Sequence, residues 1–133
     1  MASRFIGMTA IVLLLAGCSS QSGIGLASLE TAQYLRSERS FEMDFVEIQQ
    51  ALFKHQAACD TDIQWAGSSG DAAYVRIVQP FEPGASGWNN TLVLGLTRMA
   101  NVDTKAQVYS YRTPSSKQIT TLYNAILTPE ICP

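Results

Sequence analysis

The chain has 133 residues, of which 47% are hydrophobic and 15% are charged, and its formal net charge is −2. A chain of this length holds one domain with a modest core. Its slightly acidic balance, without a cluster of Lys and Arg, is poorly suited to collecting phosphates and so disfavours nucleic-acid binding.

The N-terminal segment has a positive start, an apolar middle and a small-residue exit. Arg4 supplies the charge, residues 6–15 are almost entirely apolar, and the sequence Leu-Ala-Gly-Cys ends at Cys18. The apolar run has the length of a signal-peptide core and is too short to span a bilayer. This pattern resembles the lipobox of bacterial lipoproteins, which implies a signal peptide over 1–17 and lipidation of Cys18 with diacylglycerol and a fatty acid such as palmitate.

The same resemblance implies a cellular location. In lipoproteins of this kind the residue after the cysteine takes part in sorting, and Ser19 lacks the acidic side chain that favours retention in the inner membrane. We therefore expect the periplasmic face of the outer membrane, with the inner membrane or a Gram-positive surface as alternatives. Three acyl chains at Cys18 make such an anchor effectively permanent.

Lipid attachment at Cys18 leaves two other cysteines in an oxidising compartment. Cys59 and Cys132 are expected to form a disulfide there, since thiols pair outside the cytosol. An intermolecular bridge or a shared metal ion is the alternative for these two residues. Their spacing excludes a CxxC redox motif, so the pair is interpreted as structural.

Residues 18–37 are interpreted as the lipidated cysteine and a tether, and residues 38–133 as a single domain. The stretch after Cys18 is short and polar, which is typical of a flexible linker. The segment 24–37 is hard to assign, since Leu26, Leu29 and Tyr34 fit either a short helix or an adherent extended arm, and we assign it to the tether.

The first regular elements of the domain are a short strand followed by a helix. Phe41 and Met43 alternate with Glu42, which predicts a strand. Asp44 with Glu47 three residues later forms the pattern of a helix N-terminal capping box, so a helix is expected from residue 45 to about 58. Its apolar stripe includes His55.

The rest of the domain is predicted as four strands and a second helix. Strands are expected over 63–66, 73–78, 91–99 and 105–112, with a turn at 67–71, and a helix capped by Ser115 or Ser116 ends before Pro129. The order β-α-β-β-β-β-α predicts an α+β fold, with an antiparallel sheet of four to five strands and two helices on one face.

This pattern resembles small periplasmic lipoproteins of proteobacteria and is similar to the helix-grip domains of outer-membrane assembly lipoproteins. The resemblance rests on the strand and helix of residues 40–59, the strand of residues 106–109 and the terminal Ile-Cys-Pro at 131–133. It covers residues 38–133 and implies a fold and a location more than an activity.

Few residues in the chain are suited to catalysis or metal binding. His55 is the single histidine, and its place on the apolar stripe favours a core residue over a catalytic base. No GxSxG sequence accompanies it. Asp60 and Asp62 are interpreted as turn residues because a calcium loop needs further oxygen ligands. We expect no metal, no cofactor and no enzymatic activity.

Four aromatic residues are the candidates for binding a partner: Phe81, Trp88, Tyr109 and Tyr111. The first two lie in a loop of Pro, Gly, Ser and Asn, and tryptophan is frequent at binding hot spots. The alternative is that Phe81 and Trp88 fold back over the end of the sheet. Tyr109 and Tyr111 are predicted on one strand face, which the segment 24–38 covers in the alternative interpretation.

The leading functional hypothesis is therefore a membrane-anchored, non-enzymatic module that binds another envelope protein. A second hypothesis is a binding module for a lipid or small apolar ligand, held between the sheet and the helices. An enzyme with His55 as base is the third hypothesis. The residues expected to line an apolar cavity are Leu92, Leu94, Ile119 and Ile126.

Overall fold

A computed structural model describes residues 23–66 and 73–133. The predicted lipobox at Cys18 and the predicted turn at 67–71 lie outside the described residues. The helices are α1 (Leu26–Leu29), α2 (Phe45–Cys59) and α3 (Ser116–Leu127), and 3-10 turns cover Ala32–Tyr34 and Trp88–Asn90. The strands are β1 (Leu35–Phe41), β2 (Gln64–Ala66), β3 (Tyr74–Pro80), β4 (Thr91–Arg98) and β5 (Thr104–Tyr109).

The five strands form one antiparallel sheet in the order β1-β5-β4-β3-β2. Strands β2 to β5 follow one another as the predicted meander, and β1 joins the sheet beside β5. The predicted α+β class, the antiparallel sheet and the disulfide are confirmed.

One face of the sheet packs against α2 and α3 and forms the main core. Alternate residues of the strands point to this inner face because successive strand side chains project to opposite sides. Apolar residues of α2 and α3 belong to the same buried cluster as these strand residues, so the inner face is the face that the two helices cover. The strand and helix residues that share this core include Val75, Ile77, Leu92, Leu94, Leu96, Ala106, Val108, Ile48, Leu52, Ile119, Leu122 and Ile126.

The start of α2 follows the sequence prediction closely. The backbone N–H of Glu47 donates to Asp44 Oδ1 at 2.8 Å, and the backbone N–H of Asp44 donates to Glu47 Oε2 at 2.9 Å. These two bonds satisfy backbone donors that a helix end leaves unpaired. The capping box therefore fixes where α2 begins.

The predicted tether up to residue 37 is wrong for residues 26–37. Helix α1, a 3-10 turn and the first half of β1 lie in this stretch, and Leu29 is fully buried. The prediction failed because β1 is an edge strand whose exposed side chains, such as Arg36 and Glu38, hide the apolar alternation of a buried strand. We call residues 23–34 the arm.

The arm lies on the outer face of the sheet, opposite the helices. Tyr74 and Arg76 alternate with the inward residues of β3, and both hydrogen-bond to Glu30 of the arm. Val93 of β4 also projects to the outer face and is fully buried. We infer that α1, with Leu29, covers this part of the outer face.

Candidate functional site

Four strand ends meet at one end of the sheet and bring the predicted binding residues close together. The pairing of Leu35 with Tyr109 and of Pro80 with Thr91 shows that β1 and β4 begin where β3 and β5 end. The loop after β3 and the segment after β5 therefore leave the sheet at the same end, on either side of the start of β4. We call this region the aromatic end and define it by Phe81, Trp88, Tyr109 and Tyr111.

The loop of residues 81–90 is stabilised by hydrogen bonds to its own backbone. The Phe81 N–H donates to the Asn90 carbonyl at 2.9 Å, and the Asn90 side-chain amide donates to the Ser86 carbonyl at 3.1 Å. The Thr91 hydroxyl donates to the Gly87 carbonyl at 2.9 Å, where a φ of 86° requires glycine. These three hydrogen bonds stabilise the backbone that carries the side chains of the loop.

Arg112 joins this loop to the segment after β5. Its guanidinium donates to Asn90 Oδ1 at 2.8 Å and lies 3.3 Å from the Glu82 carboxylate. The same group stands 4.8 Å from the centre of the Phe81 ring, within the range of a cation–π contact. Sequence reasoning missed Arg112, because nothing in its neighbours along the chain marks it as a partner of a loop 22 residues away.

Phe81 and Trp88 have different surroundings at the aromatic end. Phe81 is partly buried, packs against the core and has Arg112 over its ring, as in the alternative in which it folds back over the sheet. Trp88 begins a 3-10 turn and is half-buried. It contributes to two neighbouring clefts of about 310 and 630 Å³, so part of its indole lies at the surface.

Tyr109 and Tyr111 do not form one strip along a strand face, because β5 ends at Tyr109. Tyr109 is half-buried on the outer face, and burial raises the pKa of its hydroxyl, with Glu30 and Glu38 adding to the effect. Tyr111 is 51% exposed and its ring centre lies 5.6 Å from that of Tyr34 in the arm.

The contact between Tyr34 and Tyr111 is part of a larger attachment of the arm. The Ser110 N–H donates to the Tyr34 carbonyl at 3.0 Å, and the Arg36 guanidinium donates to the Ser110 carbonyl at 2.9 Å. These bonds fasten the end of the arm and the start of β1 beside the segment after β5. Burial raises the pKa of the Tyr109 hydroxyl, and Glu30 of the arm lies close enough to raise it further, so the arm covers part of the outer face near Tyr109, as in the alternative interpretation. Tyr34 and Arg36 are site residues that the assignment to a tether concealed.

A second attachment holds the arm at the middle of the outer face. The Tyr74 hydroxyl donates to one oxygen of the Glu30 carboxylate, and Arg76 Nε donates to the other at 2.8 Å. Burial raises the pKa of Tyr74 well above its usual range, and the nearby carboxylate raises it further. The absence of a side chain at Gly95 makes room for this tyrosine, because a Cβ there would overlap its hydroxyl.

His55 lies in the core side of α2, as its place on the apolar stripe predicted. It is 1% exposed, and its Nδ1 faces the carbonyl of Pro129 at 2.9 Å, an arrangement in which Nδ1 carries the proton and donates. Its Nε2 has no hydrogen-bond partner in the described part of the chain. The structure places no carboxylate in a hydrogen bond with this histidine in residues 23–66 and 73–133.

The disulfide between Cys59 and Cys132 closes the helix side of the domain. The two Cα atoms are 5.3 Å apart, and the bond joins the end of α2 to the tail after α3. An ion pair between Lys54 and Glu130, at 2.7 Å, crosses the same junction. The predicted pairing is therefore confirmed, and it holds the Pro129 carbonyl near His55.

The four residues expected to line an apolar cavity are packed into the core instead. Leu94 is fully buried, and Leu92, Ile119 and Ile126 are nearly so. Of these four, Leu92 also borders a cleft of about 210 Å³ that Phe81 and the first turns of α3 complete. The structure therefore gives no specific support to the apolar-ligand hypothesis within the described ranges.

Residues 23–66 and 73–133 contain no group of three or more His, Cys, Asp or Glu side chains placed to hold a metal ion. Asp60 ends α2 in a left-handed conformation, which suits the predicted turn. Within the same ranges, none of the helices has both the length and the apolar character needed to cross a bilayer.

Comparison with known proteins adds no assignment to this geometry. Neither the models of protein families nor the curated proteins give a match to the chain.

Proposed function

We propose that this protein is a membrane-anchored periplasmic lipoprotein that binds another envelope protein through the aromatic end, without catalysis. The lipobox pattern ending at Cys18 supports the anchor. The disulfide supports an oxidising compartment, because structural disulfides persist outside the cytosol. Lipidation at Cys18 and the location on the periplasmic face of the outer membrane belong to this proposal.

The observation that carries the proposal is the set of hydrogen bonds that frames the aromatic end. Arg112 hydrogen-bonds to Asn90 and pairs with Glu82, so the loop is joined to the segment after β5, which also carries Tyr111. Binding through a surface that is already ordered avoids much of the entropy lost when flexible loops dock. Aromatic and arginine side chains are also the residue types that dominate binding energy in protein interfaces.

The proposal treats the module as non-enzymatic because of how the single histidine is used. The proton of His55 Nδ1 is directed at the backbone carbonyl of Pro129. A histidine that serves as a general base in a catalytic triad instead directs this proton to an orienting carboxylate. His55 is thus better explained as a core residue that positions the tail after α3.

Photocrosslinking in cells tests the proposed surface. A photoreactive phenylalanine analogue replaces Tyr111, and the matched control carries it at Phe53, which is 57% exposed on α2. We expect a discrete protein adduct from position 111 that is missing from position 53 and is strongly reduced by Cys18→Ser. Identical adduct patterns from the two positions would contradict the proposed surface.

Membrane fractionation tests the proposed location separately. We expect the wild-type protein in the outer-membrane fraction of a Gram-negative host, labelled by a palmitate analogue, and Cys18→Ser without label. Recovery of labelled protein in the inner-membrane fraction would support lipidation of Cys18 but contradict the outer-membrane location.

A further inference from the structure

The arm begins beside the Trp88 loop. Gly23, Ile24 and Gly25 form one wall of the 630 Å³ cleft, and residues 86–90 form the other. A Cβ built on Gly23 would lie 3.9 Å from Asn89 Oδ1, which places the two segments in direct proximity. We call residues 23–25 with residues 86–90 the Trp88 corner.

The Trp88 corner is close to the proposed lipid attachment along the chain. Five residue steps separate Cys18 from Gly23. A fully extended chain covers at most about 3.3–3.6 Å per residue, so the two Cα atoms are at most about 18 Å apart. An acylated Cys18 therefore keeps the Trp88 corner near the membrane surface, whatever path the connecting residues take.

The chemistry of the corner suits contact with a bilayer. Residues 23–25 and 83–90 contain no Asp, Glu, Lys or Arg, so bringing these two segments to the interface removes no formal charge from water. Glu82, just before the second segment, lies 3.3 Å from the guanidinium of Arg112. Tryptophan is enriched at membrane–water interfaces, because its ring is apolar and its N–H remains able to hydrogen-bond.

We propose that the Trp88 corner docks on the lipid bilayer, with the indole of Trp88 at the boundary between headgroups and acyl chains. This inference rests on the lipidation of Cys18 in the proposed function. It divides the aromatic end into two parts. The Trp88 corner contacts lipid, and the surface around Tyr111 and Tyr34 remains available to a protein partner in a defined orientation.

Tryptophan quenching by lipids tests this docking. The full-length lipidated protein is reconstituted in phosphatidylethanolamine–phosphatidylglycerol vesicles, with or without bromine on the upper acyl chain. Trp65 and Trp88 are the two tryptophans of the chain, so Trp65→Phe isolates the emission of Trp88. We expect brominated lipid to at least halve this emission.

Matched variants control for position and folding. In Trp88→Phe the emission comes from Trp65, which packs against the core, and brominated lipid should quench this emission little. In a second control, Trp65→Phe and Trp88→Phe are combined with Phe53→Trp, so that the single indole lies on α2, on the side of the sheet opposite the arm. Brominated lipid should quench the emission of this variant little. If Trp65→Phe does not fold, the quenching of Trp88 is obtained by subtracting the emission of Trp88→Phe from that of the wild type, with and without bromine.

Vesicle flotation separates this inference from the proposed function. Protein that floats with vesicles while Trp88 stays unquenched overturns the docking and leaves the lipid anchor standing. Protein that does not float overturns the anchor and the docking together. A photoreactive group at position 88 that labels a protein instead of lipid in cells would overturn the docking in favour of a protein contact.

Discussion

Truncation of Leu29 to alanine tests whether the arm belongs to the folded domain. Leu29 is fully buried in α1, on the face of the sheet opposite the main core. Leu→Ala changes at buried sites cost about 2–5 kcal/mol, and the loss is smaller where the structure can close the gap. A four-residue helix near the end of the described chain can shift, so we expect a loss of about 2–3 kcal/mol.

Urea unfolding of residues 23–133 measures this change. A small domain is stable by about 5–15 kcal/mol, so the expected loss lowers the transition midpoint clearly. Leu127→Ala is the matched control, because that leucine is 45% exposed at the end of α3 and its truncation should cost less than about 0.5 kcal/mol. If Leu29→Ala costs no more than this control, the arm does not stabilise the domain and the reasoning is refuted.

Two further predictions concern the disulfide and the contact between Tyr74 and Glu30. Replacing Cys59 and Cys132 by serine removes a cross-link spanning 73 residues and should lower the free energy of unfolding by about 4 kcal/mol. Urea unfolding measures this change, and an unchanged transition midpoint would contradict it. The pKa of Tyr74 is raised in the folded state, so its stabilising effect is present below the unfolded value of about 10 and is lost as the pH rises through the folded pKa. Wild type should therefore lose more stability than Tyr74→Phe between about pH 9 and pH 11, and equal losses would argue against the contact.

The parts of the fold that sequence predicted well are those with local signals. The capping box at Asp44 and Glu47 places the start of α2 because its hydrogen bonds join residues three apart. The alternation in β3, β4 and β5 predicts strands because one face of each is buried in the core. Strand β1 has no such alternation, and its pairing with β5 joins residues more than sixty positions apart.

In the candidate site, too, the sequence indicates some residues by their type, whereas others are identified only by long-range contacts. Phe81, Trp88, Tyr109 and Tyr111 stand out by residue type, and the structure gathers all four at one end of the sheet. The side chain that fixes their frame, Arg112, has no distinguishing neighbours in sequence. Its role appears only when β3 and β5 are seen to end at the same end of the sheet, on either side of the start of β4.

By itself, the sequence determined the α+β class, the capped start of α2, the place of His55 on a buried face and the pairing of Cys59 with Cys132. These features depend on short-range periodicity and on the small number of cysteines. Only the tertiary structure decided that the arm covers the outer face and that its first residues lie beside Trp88. Such contacts join segments far apart in the chain, and they form because the outer face of β3 and β4 offers Leu29 and Glu30 an apolar surface with two hydrogen-bond donors.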